Sequence, residues 1–301
     1  MNNLIKNPIF FIGAPRSGTT IISEIIFQHP DLAWPSHYQD KFPKQTNVNY
    51  IRRLTDNKCW RVAGNKEQLY DTSLLNKYSF KPSEAYQMWE YITGKEIDFS
   101  RGFLLDEKAT ENQKQFLRNY FTNLVKKQGR KRFAAKITGP PRIGYLLSIF
   151  PDAVFVLIRR KYVPTISSLL KVGFWKNLGK NRFWWTGPYN EMELEWAKQH
   201  ENEASLLSAY QLKKINWAEN LEIEKYHPNI LEVHYEDFVT NPDNYISSIL
   251  KHCDLFHDKY IDQFLEKNPV VSRNKSDDEY FDKVTFEKIN QVLATQSTSS
   301  L

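Results

Sequence analysis

The stretch Ile9-Phe10-Phe11-Ile12-Gly13-Ala14-Pro15-Arg16-Ser17-Gly18-Thr19-Thr20 decides the fold of this 301-residue chain. It opens on a short β-branched and aromatic run, the pattern of a buried strand. Ile21, Ile22, Ile25 and Ile26 then continue at helical spacing. The loop between them lies where a strand feeds a helix, with free backbone N–H groups facing whatever sits over the helix start. Such a loop binds phosphate. Gly13 and Gly18 keep the G-x-x-x-x-G spacing of nucleotide-binding loops, but Thr19 stands where a kinase loop has its lysine. The cation lies three residues earlier, at Arg16.

Strands and helices continue to alternate beyond this unit. Phe103–Lys108 reads as a strand, followed by a helix through Phe116, Leu117, Tyr120 and Leu124. Phe133–Thr138 is the next strand, and Gly139-Pro140-Pro141 opens a helix through Ile143, Leu146 and Ile149, with proline where a first turn tolerates it. Asp152–Arg159 is an unbroken apolar run, which implies that both faces are covered, as in a parallel sheet. Helices through Val163–Leu170, Glu191–Tyr226 (in one piece or two) and Tyr245–Leu250 surround a further strand at Ile230–Tyr235. Residues 31–102 mix aromatic and charged residues with weak periodicity and read as loops and short helices laid over the sheet. The Ser/Thr-rich tail from Ala294 reads as disordered. The pattern predicts an α/β fold: a three-layer P-loop-type domain over residues 1–293, its mostly parallel central sheet flanked by helices.

Hydrophobic residues make up 41% and charged residues 25%, an ordinary globular balance. The net charge of +6 suits an anionic ligand, and the basic residues are scattered without a nucleic-acid motif, so no nucleic-acid partner is expected. Cys59 and Cys253 are too few for a disulfide framework, which points to a reducing compartment. With no signal-peptide pattern and no apolar run long enough to span a bilayer, the expectation is a cytoplasmic protein.

The loop Pro15-Arg16-Ser17-Gly18-Thr19-Thr20 resembles the 5′-phosphosulfate loop of sulfotransferases that use 3′-phosphoadenosine-5′-phosphosulfate (PAPS), closer to the Pro-Arg-Ser-Gly-Thr-Thr branch than to the cytosolic branch with a lysine in the loop. The resemblance runs from about Ile9 to Arg273. It implies that Arg159, at the end of a buried strand, and Ser167, eight residues later, hold the 3′-phosphate. A dianionic phosphate suits a guanidinium fork plus a neutral donor. Family members usually continue Arg-Asp-Pro, whereas this chain reads Arg159-Arg160-Lys161-Tyr162-Val163-Pro164. Tyr235, in Tyr235-Glu236-Asp237, matches a family tyrosine that packs near the adenine, and Arg273, in Ser272-Arg273-Asn274-Lys275, matches a late basic segment that reaches the 3′-phosphate.

The implied activity is transfer of a sulfonate from PAPS to a hydroxyl or amine of a small-molecule or carbohydrate acceptor, leaving 3′-phosphoadenosine-5′-phosphate (PAP). Arg16 and the loop amides would stabilise the leaving phosphate, with no metal required. Lys136 corresponds to a lysine that adds a second cation near the sulfonate in cytosolic members. The base histidine of those members falls two residues later, where this chain has Thr138. Other branches use a glutamate shortly after the helix-ending His-Pro, and His37 lies near that place, with Glu107 and Asp40 as rivals for the base. The aromatic, basic stretch Phe174–Tyr189 would serve as an acceptor lid, with residues from Trp60 to Phe103 as the other wall. A P-loop kinase or NTPase, or a non-catalytic nucleotide-binding protein on the same fold, are the competing readings.

Overall fold

The computed structural model describes residues 5–55, 80–272, 274–276 and 279–295. Arg273, Cys59, Trp60 and the tail beyond Thr295 lie outside the described residues. In chain order the elements are β1 (Ile9–Gly13), α1 (Thr19–Ile26), β2 (Leu32–Ala33), α2 (His37–Lys41), α3 (Ile51–Thr55), α4 (Tyr86–Thr93), α5 (Glu111–Gln128), β3 (Arg132–Thr138), α6 (Ile143–Ile149) and β4 (Val154–Arg159). They continue as α7 (Tyr162–Leu170), α8 (Gly173–Leu178), α9 (Glu191–Gln199), α10 (Ala204–Tyr226), β5 (Asn229–His234), α11 (Tyr235–Thr240), α12 (Pro242–His252), α13 (Lys259–Lys267) and α14 (Lys283–Ala294).

The sheet runs β2-β3-β1-β4-β5, and every pairing is parallel. β1 lies at its centre, in register with β3 from Ile9↔Ala134 to Gly13↔Thr138 and with β4 from Ile9↔Val154 to Ile12↔Leu157. Strand periodicity sorts the side chains cleanly. Ile9, Phe11, Ala134, Val154, Val156 and Ile158 pack with α1, α12 and α13. Phe10, Ile12, Ala135, Ile137, Phe155 and Leu157 pack with α4, α5 and α6 on the other face. Chains of apolar residues that bury both faces explain why these strands read as unbroken runs. A third cluster joins α7, α8, α10 and α14 through Ile166, Leu169, Trp175, Leu212, Ile215 and Ile289. The connection after β1 leads to β2 on one side and the connection after β3 crosses to β4 on the other. The crevice at the carboxyl end of β1 is therefore a topological switch point, where open α/β sheets bind ligands.

Two local expectations differ from the structure. Phe103–Lys108 is not a strand: Phe103 is buried, but its backbone N–H bonds to the Thr186 carbonyl in a lone crossing of two loops, and Glu107 N–H turns back to the Leu104 carbonyl. The apolar triplet there fills the core without extending the sheet. The weakly periodic region contributes β2, two residues paired to Arg132 and Phe133, too short to leave a period.

Candidate active site

The loop from Ala14 to Gly18 turns β1 into α1 over that crevice. Gly13, the last residue of β1, is required by packing: a methyl group there would stand 2.3 Å from the Ile158 carbonyl oxygen of β4. Arg16 (φ 68°) and Gly18 (φ 99°) are both left-handed, on either side of Ser17. Alternation of this kind turns successive N–H groups inward as an anion-binding concavity. No acidic side chain occupies the first turn of α1, so its positive end is left to a ligand. Ser17 is 1% exposed, and its Oγ has no hydrogen-bond partner. Pro15 and Thr19 are buried, while the Arg16 side chain is exposed. A buried hydroxyl with no partner beside the start of a helix fits a phosphate-type oxygen.

Arg16 reaches across to α7, where its Nε donates to Ser168 Oγ at 3.0 Å. Arg160, one residue beyond β4, donates to the Arg16 carbonyl at 2.9 Å and to Asn274 Oδ1. Its guanidinium lies 4.6 Å from the centre of the Tyr235 ring. Burial holds Arg160 below the ordinary guanidinium range, with Tyr235 and Glu236 opposing that effect and Arg16 adding to it. It remains charged, because arginine does not deprotonate in proteins. Tyr235 also packs on the loop, for a methyl group on Gly18 would meet its Cδ2 at 2.4 Å. Glu236 ties the surroundings together by accepting from Asn274 Nδ2 at 3.0 Å and from Lys161 N–H at 3.3 Å.

The structure thus brings Arg16, Arg160, Ser168, Tyr235 and Asn274 into contact, while Arg159 lines a small cavity with Ala14, Ser17 and Arg160 without joining those contacts. Arg159 continues the β4 face of Phe155 and Leu157, away from α1. Its guanidinium meets Glu219 at 3.0 Å, Glu232 at 2.9 Å and Asn220 at 2.6 Å. Ser167 is buried inside α7. Arg160 and Ser168 keep the same spacing of eight residues. The two doublets, Arg159-Arg160 and Ser167-Ser168, make that spacing ambiguous by one position.

On the other side of the loop, Lys136 rises from β3 toward α1. Its Nζ donates to Thr20 Oγ1 at 3.0 Å and pairs with Glu84 Oε1 at 3.3 Å. Thr138 Oγ1 donates to Glu84 Oε2 at 2.8 Å. Glu84 precedes α4, and that helix start is pinned twice. Tyr86 Oη donates to the Thr138 carbonyl, and Asp40 Oδ1 accepts from the N–H groups of Gln87 and Met88. Burial, then the charge of Glu84, pushes the Tyr86 hydroxyl well above the usual phenol range. Trp185 closes the corner, its Nε1 standing 2.9 Å from where a methyl group on Gly139 would be.

His37, Asp40 and Glu107, the base candidates of the sequence, are held as follows. His37 meets the backbone of Lys81 at 3.4 Å and the Tyr38 ring at 4.1 Å between centres, and burial holds its imidazole below the ordinary value. Asp40 is the cap on α4 just described. Glu107 is exposed on the loop before α5. Glu84, 64 residues beyond Thr20 in the chain, carries no motif that marks it. The Phe174–Tyr189 stretch packs mainly onto α10 and does not form an open lid. Trp175 is fully buried and donates to Ser208 Oγ at 2.9 Å, and Phe183 stacks with Tyr189 and Tyr210.

A family model described as the sulfotransferase family matches residues 8–259. The chain belongs to that family. The match covers β1 to the start of α13, and so includes the loop, Lys136, Arg160, Ser168 and Tyr235. No curated protein matches the sequence. Among solved structures, the chain is similar to the sulfotransferase STF9 from Mycobacterium avium, at 18% identity and a TM-score of 0.59, over 96% of this chain and 76% of that one. It is also similar to the sulfotransferase STF1 from Mycobacterium tuberculosis H37Rv, at 16% identity and a TM-score of 0.52, over 96% and 77% of the two chains. At these identities the likeness speaks for the fold. Among the described residues, no helix is long and apolar enough to cross a membrane, and no cluster of His, Cys, Asp and Glu is arranged to hold a metal.

Proposed function

We propose that this sulfotransferase-family protein transfers a sulfonate group from PAPS to a hydroxyl or amine of a small-molecule or carbohydrate acceptor. PAPS, when bound, supplies the sulfonate and leaves as PAP. The observation that carries the reading is the joining of two anion-binding features, the loop at Gly13–Thr20 and the Arg160–Ser168 pair, through Arg16. The loop amides, Ser17 Oγ and Thr20 would hold the 5′-phosphosulfate end. Arg160 and Ser168 would hold the 3′-phosphate, with Asn274 beside Arg160. The ring of Tyr235 lies between the two and would pack on the adenosine portion. Arg16 and Lys136 would stabilise the charge that grows on the 5′-phosphate as the bond to sulfur breaks, in a site where the chain's dipoles are already oriented.

The test is a calorimetric titration with PAP, adenosine 5′-phosphate and magnesium-ATP. PAP is expected to bind at least 30-fold tighter than adenosine 5′-phosphate, about 2 kcal/mol for a charge-assisted contact to the 3′-phosphate. Preference for magnesium-ATP would favour a kinase or NTPase and overturn the proposal.

A further inference from the structure

We infer that Glu84 is the general base of this site, and that Lys136 holds it in position until a donor binds. The inference rests on the functional reading above and names a group that motif reasoning did not reach. The resemblance to cytosolic sulfotransferases implies a base histidine at the position where this chain has Thr138. The structure fills that place from another element. Glu84 Oε2 accepts from Thr138 Oγ1 at 2.8 Å, so a carboxylate lies directly against the side chain that replaces the imidazole.

The neighbourhood gives the carboxylate both aim and access. One Glu84 oxygen bonds Thr138 and the other faces Lys136, so each keeps lone-pair capacity for an acceptor O–H. The Glu84 side chain is 27% exposed and that of Lys136 11%, placing the carboxylate on the open side of the pair. Lys136 touches Thr20 and Glu84 at once. That links the base to the end of the loop where the sulfonate would lie. The backbone around Glu84 is fixed by Ser83 N–H on the Pro35 carbonyl, by left-handed Ala85, and by Tyr86 on Thr138.

In the step this geometry allows, Glu84 takes the acceptor proton as the acceptor oxygen bonds the sulfur. The bond from sulfur to the 5′-phosphate oxygen breaks, and its electron pair stays on that oxygen, facing Lys136 and Arg16. Lys136 then has two alternative anions, the Glu84 carboxylate without donor and the phosphosulfate with it. Donor binding draws the ammonium away and leaves Glu84 free to accept a proton.

The experiment compares wild type with Glu84→Gln, Glu84→Asp and His37→Ala, using phenol and water as acceptor probes for PAPS and calorimetry for PAP. Glu84→Gln is expected to lower kcat by about 100-fold or more, the range of a positioned base, with the phenol KM within threefold. The same variant is expected to bind PAP as tightly as wild type or up to about threefold tighter, since Lys136 loses a competing anion. Glu84→Asp is expected to recover part of kcat, and His37→Ala to keep it. Glu84→Gln turning over within threefold of wild type overturns the inference. So does a loss matched by weaker PAP binding, which marks a structural role, or wild type that binds PAP but transfers to neither probe. Wild type that fails to bind PAP overturns the functional reading itself.

Discussion

Replacing each of the neighbouring arginines at the end of β4 by alanine separates the two candidate phosphate anchors. Arg160 is already placed for a ligand, fixed by the Arg16 carbonyl, Asn274 and the Tyr235 ring. On the proposed function its removal deletes a charged donor to the 3′-phosphate. That is about 1.5–3 kcal/mol, or roughly 10- to 150-fold in PAP affinity. Adenosine 5′-phosphate, which lacks that group, should lose less than threefold. Arg159→Ala acts on the fold instead. It strips Glu219, which is buried, and Glu232 of their shared partner. Because burial raises the Glu219 carboxyl to about 8, the loss is that of a charge-assisted hydrogen bond, about 1.5–3 kcal/mol, lowering Tm by about 3–6 °C in a protein of this size. The folded fraction should still bind PAP within threefold of wild type. Calorimetry with both nucleotides and thermal melts of all three proteins read these outcomes. If Arg159→Ala weakens PAP tenfold while Arg160→Ala does not, the placement argued from the structure is refuted.

Gly18→Ala should be severe, because a methyl group at φ 99° meets the Tyr235 ring at 2.4 Å. Left-handed strain and overpacking together come to about 2–4 kcal/mol, and a thermal melt unchanged within 1 °C would show that the loop has another conformation available. Glu219 makes stability depend on pH. Burial first, then Glu232 and Glu222, raise its carboxyl to about 8 against the opposing charge of Arg159. The folded state therefore binds a proton that the unfolded state releases near the ordinary 4.5, so stability is fullest below that value and declines as pH rises toward about 8. Glu219→Gln should flatten the fall in Tm over that window, and an unaltered Tm–pH profile would contradict the assignment.

The parts of the fold that were legible in the sequence are those where burial leaves a long period. β1, β3 and β4 are apolar on both faces, and α1 follows β1 with isoleucines at helical spacing, so all four announce themselves. β2 could not, since two residues carry no period. Phe103-Leu104-Leu105 has strand composition, but Leu104 is left-handed and the segment belongs to loops.

The candidate site was legible where its residues are contiguous. The loop is one motif, and Lys136 and Tyr235 lie at strand ends. The proposed Arg160–Ser168 anchor differs from Arg159–Ser167 by facing. Alternation along β4 sends Arg159 to the α10 side, while a step of about 100° around α7 turns Ser168 toward Arg16 and Ser167 into the core. Burial decides between them, and spacing does not. Glu84 was beyond reach for a different reason. It meets Lys136 and Thr138 only because residues 80–83 pair with Pro35–His37 and carry the start of α4 to the end of β3.

Movement of a sulfonate from PAPS is the activity proposed for this site. Incubating the wild-type protein with PAPS labelled with ³⁵S and a panel of phenols, primary alcohols and amino sugars tests it directly. Label is expected in at least one acceptor, with one PAP formed per sulfonate transferred. PAPS left unconsumed with every acceptor, by protein that binds PAP, would contradict it.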